Sequence, residues 1–317
     1  MKRVLWAWYR ILRAWSFRVA GKDPLGSPPN LREEFHAARV LTTQSTPVPI
    51  REDGKFRLWS TSLGEFWAPL KGDVHFMLML QTEATLNVYR FGRHKSVIDC
   101  GANIGFATRQ ALNNGAEIVI AFEPCPENAD CYARNFANEI ASGRVVLYRK
   151  GVWSSISRVF LGISEAANPG SPSIRQSGEP KEEEGSSGLW IDTITIDAVV
   201  KTHALSSVDF IKMDIEGAEV EALLGAAETI RKFRPFIGLG TEHTSDIYEN
   251  NVAVIRTIRS IEPAYQYLVT ESHPFKSAGC GWVLAPHSVY FWVAETAPRA
   301  AVIPAAEPVR RVPTQHK

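Results

Sequence analysis

Residues 96–113 read SVIDCGANIGFATRQALN: a short apolar run, a turn with two glycines, then a stretch of helical periodicity. The run is too short for a helix and ends at Gly101, so it reads as a buried strand. Gly101 and Gly105 allow a tight turn and a close backbone approach, and the helix opening behind them offers unpaired N–H groups. The same grammar recurs on both sides. EIVIAFE (117–123) is followed by a helical pattern over 127–138 and then by RVVLYR (144–149). WIDTITI (190–196) leads into a helix from Asp197, VDFIKMD (208–214) into a helix over 218–232, and FIGLG (236–240) closes the series. Such alternation predicts parallel pairing with helices on both faces, and right-handed crossovers make it a doubly wound α/β sheet. Farther on, 251–261 reads as helix and YQYLVT as strand. GWVLA and VYFWVA, separated by Pro286-His287, stand close enough for a hairpin that adds an antiparallel element at the end of the sheet.

Around this unit lie less regular pieces. PIREDGKFRLW (49–59) alternates about Asp53-Gly54, a hairpin signal because glycine accepts positive φ. Residues 74–89 read as a helix packing on the domain that follows. Within 1–20, Val4, Trp8, Ile11, Leu12, Trp15 and Val19 share one helical face, with Lys2, Arg3, Arg10 and Arg13 opposite. That composition suits a helix lying in a membrane interface, and suits equally a helix docked on its own domain. Residues 164–188 hold 13 Ser, Gly or Pro among 25 and include the run KEEE, so they read as a solvated insertion, with a lid as the alternative. The expected organisation is an amphipathic segment 1–20, an extension 21–70, the catalytic domain 71–295 and a frayed tail 296–317.

The 317 residues are enough for one large domain with appendages. With 35 Lys+Arg against 34 Asp+Glu, the formal charge of +1 argues against a dedicated nucleic-acid binder. The four cysteines form no C-x-x-C pair and no disulfide framework, which fits a reducing cytoplasm. No stretch reaches the roughly 18 to 20 apolar residues of a spanning helix.

The chemistry gathers at strand ends. The turn at Asp99, Gly101, Asn103 and Gly105 reads G-x-N-x-G in place of the G-x-G-x-x-G that seats a pyrophosphate. Asp99 would repel phosphates and attract an ammonium. Glu123, 22 residues after Gly101, ends the second strand, where a carboxylate can accept hydrogen bonds from both hydroxyls of a ribose. Together these favour a phosphate-free adenosine with a cationic amino-acid end, and S-adenosylmethionine is such a molecule. The plainer alternatives are Asp99 as a loop brace and Glu123 as an N-cap partner for the helix at Pro126. Asp214 and Glu216 follow VDFIKM at its carboxyl end, where open parallel sheets keep their ligands. Glu219 falls in the next helical turn, where its charge suits the dipole. FIGLG delivers Thr241, Glu242 and His243 to the same edge, which makes His243 a candidate base.

On these residues the chain resembles the FkbM-type family of S-adenosylmethionine-dependent methyltransferases, over roughly 71–295. The resemblance rests on VIDCGANIGFAT, AFEPCPEN with the later Asn135, the segment ending TITID, and FIKMDIEGAEVEALLGA followed by RPFIGLGTEH. It implies the class I methyltransferase (Rossmann-like) fold, seven strands with the seventh antiparallel. It also implies that Asp99, Gly101, Asn103 and Gly105 hold the methionine end, that Glu123 holds the ribose, and that Asp214 and Glu216 face the methyl group and the acceptor. Members typically methylate hydroxyls of sugars, polyketides or other small metabolites, so the expected partner is a small hydroxyl acceptor, a glycan or glycolipid included. The chain departs from the family at Cys100, where Val is common, and at GLGTEH, where the usual strand is continuously apolar.

Methyl transfer is an in-line displacement, so positioning comes first. A hydroxyl must also lose its proton, and Asp214 or His243 is the expected base, with Glu216 and Glu242 beside them. A divalent metal on Asp214, Glu216 and Glu242 is a less favoured account of the same residues. Transfer to nitrogen or carbon, a nicotinamide oxidoreductase and a non-catalytic ligand-binding protein compete with it. The missing third glycine and Asp99 speak against the oxidoreductase.

Overall fold

The computed structural model describes residues 47–61, 63–70, 94–163, 173–174, 187–241, 247–269, 272–277, 281–286 and 288–293. The segment 1–20, the expected helix 74–89, most of the insertion 164–188, the tail from 296, and Glu242 and His243 lie outside them.

Seven strands form the central sheet: β4 (Ser96–Cys100), β5 (Ile118–Phe122), β6 (Val145–Tyr148), β11 (Phe210–Met213), β12 (Phe236–Gly240), β13 (Gln266–Val269) and β16 (Ser288–Trp292). Their spatial order is β13-β16-β12-β11-β4-β5-β6, parallel except for β16, which runs antiparallel between β12 and β13. The order reverses at β4. From it the chain winds outward through β5 and β6, then returns on the other side through β11 and β12, so a crevice opens between β4 and β11 at their carboxyl ends.

Period two sorts these strands' residues onto two faces. Ile98, Ile120, Ile211, Met213, Ile237 and Leu239 share one buried core with Val199, Leu223, Ile230, Val254 and Ile258. These come from helices α4 (Ile196–Thr202), α5 (Glu219–Leu224), α6 (Ala227–Phe233) and α7 (Ile247–Ile261). Val97, Val119, Phe210 and Phe236 on the opposite face pack with Phe106 of α1 (Phe106–Asn113) and Tyr132 of α2 (Pro126–Asn135). The short α3 (Ala137–Ala141) follows.

Phe66 closes this second core from outside the sheet. It belongs to a separate three-stranded sheet, β1 (Val48–Asp53), β2 (Phe56–Thr61) and β3 (Gly64–Pro69). The hairpin expected at Asp53-Gly54 is there, with Asp53 opposite Phe56 and Gly54 at φ 60°, and β3 extends it.

Three expectations are corrected. WIDTITI is not a strand of the central sheet. It lies in β10 (Ser187–Ile194), which pairs with β8 (Arg158–Ile163) and β7 (Gly151–Val152), while β9 (Ser173–Ile174) flanks β8. The insertion is thus the link between the arms of the β8/β10 hairpin. Second, GWVLA and VYFWVA do not pair with each other: β15 (Gly281–Pro286) pairs with β14 (Ser272–Ser277), and β16 enters the central sheet. Third, the helix expected over 218–232 is two helices. The carbonyl of Gly225 accepts from the Asp197 amide at 3.0 Å. The Thr229 amide, which would have closed on that carbonyl, donates instead to Asp197 Oδ1 at 2.8 Å. A Cβ at Gly225 would stand 2.1 Å from the carbonyl oxygen of Trp153, so the break also seats a neighbouring loop.

Candidate functional site

The turn after β4 is fixed mainly by its neighbours. Gly101 and Ala102 donate their amides to the Phe122 carbonyl at 3.0 and 2.9 Å, which ties the turn to the end of β5. Gly101 adopts φ 72°, and a Cβ there would lie 2.0 Å from the carbonyl oxygen of Asp214. Gly105 adopts φ 104°, and its Cβ would strike the Phe136 ring at 2.0 Å. Both glycines are therefore required by contacts with the protein itself. Asn103, between them, holds φ 51°, a left-handed conformation that asparagine tolerates better than most residues.

Asp99 and Lys212 stand opposite each other in the register of β4 and β11, on the face that carries Val97 and Phe210. Asp99 is fully buried. Its Oδ2 accepts from Thr108 Oγ1 at 2.8 Å, and Thr108 accepts in turn from the Tyr132 hydroxyl at 2.8 Å. Its Oδ1 lies 3.3 Å from Lys212 Nζ. Lys212 also donates to the carbonyls of Gly101 at 2.7 Å and Cys100 at 3.3 Å. Burial presses the lysine towards its neutral form, but Asp99 and Asp214 outweigh that pressure and leave its pKa above the ordinary value. The sequence reading missed Lys212. Its signal was a lone charge inside an otherwise apolar strand, FIKM, which the interior tolerates only with partners.

Glu123, just past β5, is 5% exposed. Its Oε2 accepts from the Asn103 amide at 2.7 Å and its Oε1 from the Cys125 amide at 2.8 Å. Burial pushes its carboxyl up to about 7, against the opposing pull of these two amides and of Lys212. It thus joins the turn after β4 to the start of α2, whose N-cap is Cys125.

Asp214 and Glu216 occupy the turn after β11, both half-buried. The Asp214 amide donates to the Cys100 carbonyl at 3.1 Å, so the two turns touch at the switch point. Glu216 holds φ 58° and Gly217 φ 99°. A left-handed glutamate is uncommon and costs of order 1–2 kcal/mol, and such strain concentrates at functional turns. Glu219, expected merely to complement the helix dipole, is fully buried, and its carboxylate accepts from the Gly217 amide at 3.2 Å and from Asn250 Nδ2 at 3.4 Å. Beside it the Thr241 hydroxyl donates to Asn251 Oδ1 at 2.7 Å, and both residues are buried. The strand FIGLG is continuous despite its glycines, since a Cβ at Gly238 would press on the Tyr290 ring at 3.1 Å. Among the described residues no group of three or more His, Cys, Asp or Glu side chains gathers as a metal site would, and no helix is long and apolar enough to cross a membrane.

Asn135 draws the outlying sheet into this site. Its Oδ1 accepts from the Trp67 amide at 2.7 Å, and its Nδ2 donates to the carbonyls of Trp67 at 3.1 Å and Ile104 at 2.8 Å.

A seven-stranded sheet with its antiparallel strand beside the last parallel pair, and carboxylates at the tips of its three central strands, has the class I methyltransferase architecture. The chain belongs to the Methyltransferase FkbM domain family, whose pattern it matches over residues 99–280. It is similar to the Hexuronic acid methyltransferase AglP of Haloferax volcanii, with 29% identity over 133 residues, 42% of this chain and 50% of that protein. The chain thus spans about half the length of that curated relative. Among solved structures it is similar to Methyltransferase FkbM from Methylobacillus flagellatus, at 23% identity and a TM-score of 0.44 over 63% of this chain and 44% of the other. It is also similar to an O-methyltransferase from Bacillus cereus in complex with SAH, at 13% identity and a TM-score of 0.37 over 68% and 80%.

Proposed function

We propose that this methyltransferase uses S-adenosylmethionine to methylate a hydroxyl of a sugar or a related small metabolite. The observation that carries the reading is Glu123, a nearly buried carboxylate at the carboxyl end of β5 whose two oxygens each take one backbone N–H. An ionised carboxylate has about four acceptor positions, so each oxygen retains one for a ribose hydroxyl. The rest of the donor set suits a cationic, phosphate-free nucleoside. Asp99, Glu123, Asp214 and Glu216 surround the switch point with Lys212 among them, a field that disfavours pyrophosphate.

When bound, S-adenosylmethionine supplies an electrophilic methyl group on a sulfonium. In this reading the turn of Gly101, Asn103 and Gly105 receives the methionine end, and Asp99 acts from behind through Lys212 and Thr108. Asp214 takes the acceptor's proton, held in place by its amide on Cys100. Glu216 orients the acceptor from the same strained turn. His243 is the alternative base, carried on the segment that follows β12. The sugar class is supported by the Haloferax volcanii relative named for a hexuronic acid.

Calorimetric titration of the protein with S-adenosylmethionine, with NAD and with buffer tests the first half. Uptake of the methyl donor and not of NAD is expected, and its absence sinks the enzymatic reading. Transfer of labelled methyl to a panel of glycosides and amines tests the second half. Label on a sugar hydroxyl is the expected result, and label confined to nitrogen or carbon replaces the acceptor class.

A further inference from the structure

We infer that Lys212 is a positioning residue of the donor site: from β11 it grips the carbonyls of the turn after β4 and holds the neighbouring carboxylates in the form that binds the donor. The inference rests on the function proposed above.

The geometry leaves Lys212 little other role. Its ammonium has three donors, and three oxygens lie around it: Gly101 O at 2.7 Å, Cys100 O at 3.3 Å and Asp99 Oδ1 at 3.3 Å. Cys100 O also accepts from the Asp214 amide, so the lysine pins the seam where the two turns meet. The side chain is 14% exposed and Asp99 beside it is fully buried, which makes the charge hard to screen. Loss of its cation at this depth would be costly for Asp99, which would keep the Thr108 hydroxyl as a partner.

The influence extends one strand farther. Glu123 follows Ala121 on the face shared by Asp99 and Lys212, and its ionisation is opposed by burial and by Asp99 and favoured by Lys212 and the amides of Cys125 and Asn103. Around Lys212 the charged and titratable neighbours are Asp99 and Cys100 on β4, Asp214 after β11 and, one strand farther, Glu123 after β5. Removing the lysine takes the cation away from the neighbouring Asp99 and Glu123, so Glu123 binds its proton more tightly and becomes a poorer acceptor for a diol near neutral pH.

The experiment uses wild-type protein, K212M and K212R. The amide signals of Asn103 and Cys125, which donate to Glu123, are followed by NMR against pH without ligand, and S-adenosylhomocysteine is titrated calorimetrically at each pH. In wild type the two amides should report one titration near pH 7, and binding should weaken as pH falls through it. K212M should move that midpoint up by about one unit and weaken binding roughly fivefold at pH 7, because the ionised fraction of Glu123 falls from about one half to about one tenth. K212R keeps the charge and the packed stem, so it also serves should K212M not fold. Its midpoint should stay put, while binding weakens severalfold because a guanidinium cannot satisfy both carbonyls in the ammonium's place. Wild-type affinity in K212R, or a wild-type midpoint in folded K212M, overturns the inference. The amide titration needs no donor, so it judges the lysine even if wild type takes up no S-adenosylhomocysteine, a result that would count against the proposed function instead.

Discussion

The turn after β4 and the turn after β11 meet at one edge of the sheet, yet they are held by different means. The first is tied from outside itself, by Phe122, Glu123, Asn135 and Lys212 on its amides and carbonyls, with Phe136 and Asp214 filling the space beside its glycines. The second is shaped by its own backbone, with Glu216 and Gly217 both at positive φ and the Ala218 amide reaching the Ile215 carbonyl at 3.3 Å. The neighbouring turn carries its carboxylates on a backbone strained at Glu216. The contrast says that substitutions in the first turn should act on folding and donor affinity, and those in the second on turnover.

The largest expected effect tests that division directly. Asp214→Asn should lower turnover on the order of 10²-fold or more, the range of a lost general base, with donor affinity little changed. Equal turnover in the variant would move the base to His243. Gly101→Ala should cost about 3 kcal/mol in a denaturant melt, because a Cβ would meet the Asp214 carbonyl at 2.0 Å and φ is positive. An unchanged midpoint would mean that the two turns are not in contact.

Glu123→Gln should act in the opposite direction on stability. The folded carboxyl titrates near 7, above its ordinary value of 4.5, so its contribution is greatest below about pH 4.5 and is lost as pH rises through 7. The glutamine variant should therefore be more stable than wild type at pH 8, by about 1–2 kcal/mol after the loss of one amide bond, and no more stable at pH 5. It should also bind the donor more weakly. A variant less stable at both pH values would refute a strained, ionised carboxylate. The smallest effect is expected at Glu216→Gly. Relief of the left-handed strain should offset part of what glycine's chain entropy and the lost side-chain contacts cost, leaving the stability loss under about 1 kcal/mol while turnover falls. A loss of several kcal/mol would show that this turn too is held from outside.

Much of the architecture could be read before any coordinates, for a physical reason. Strands buried on both faces are short, mostly apolar runs, and IVIAF is wholly apolar while SVIDC and FIKM carry one charge each, Asp99 and Lys212. The misplaced strand broke that rule in plain view: in β10 Trp190 and Asp192 are exposed while Ile191 and Thr193 are buried, the alternation of a sheet wet on one side. The carboxyl-terminal hairpin was mispaired because two adjacent apolar runs reveal that they are strands but not which partner each chooses. At the site, residue types were legible and their employment was not. Glycine announces a turn, but only tertiary contact shows that Gly105 makes way for Phe136 and Gly101 for Asp214. Asp99 reads as an acid at a strand tip, and only the registry of β4 with β11 reveals that Lys212 faces it.

The amide of Asn135 spans from Trp67 in the outlying sheet to Ile104, inside the glycine turn. The ribbon of β1, β2 and β3 is consequently tied into the end of the central sheet. A displacement of that ribbon has a route of one side chain to the glycine turn after β4.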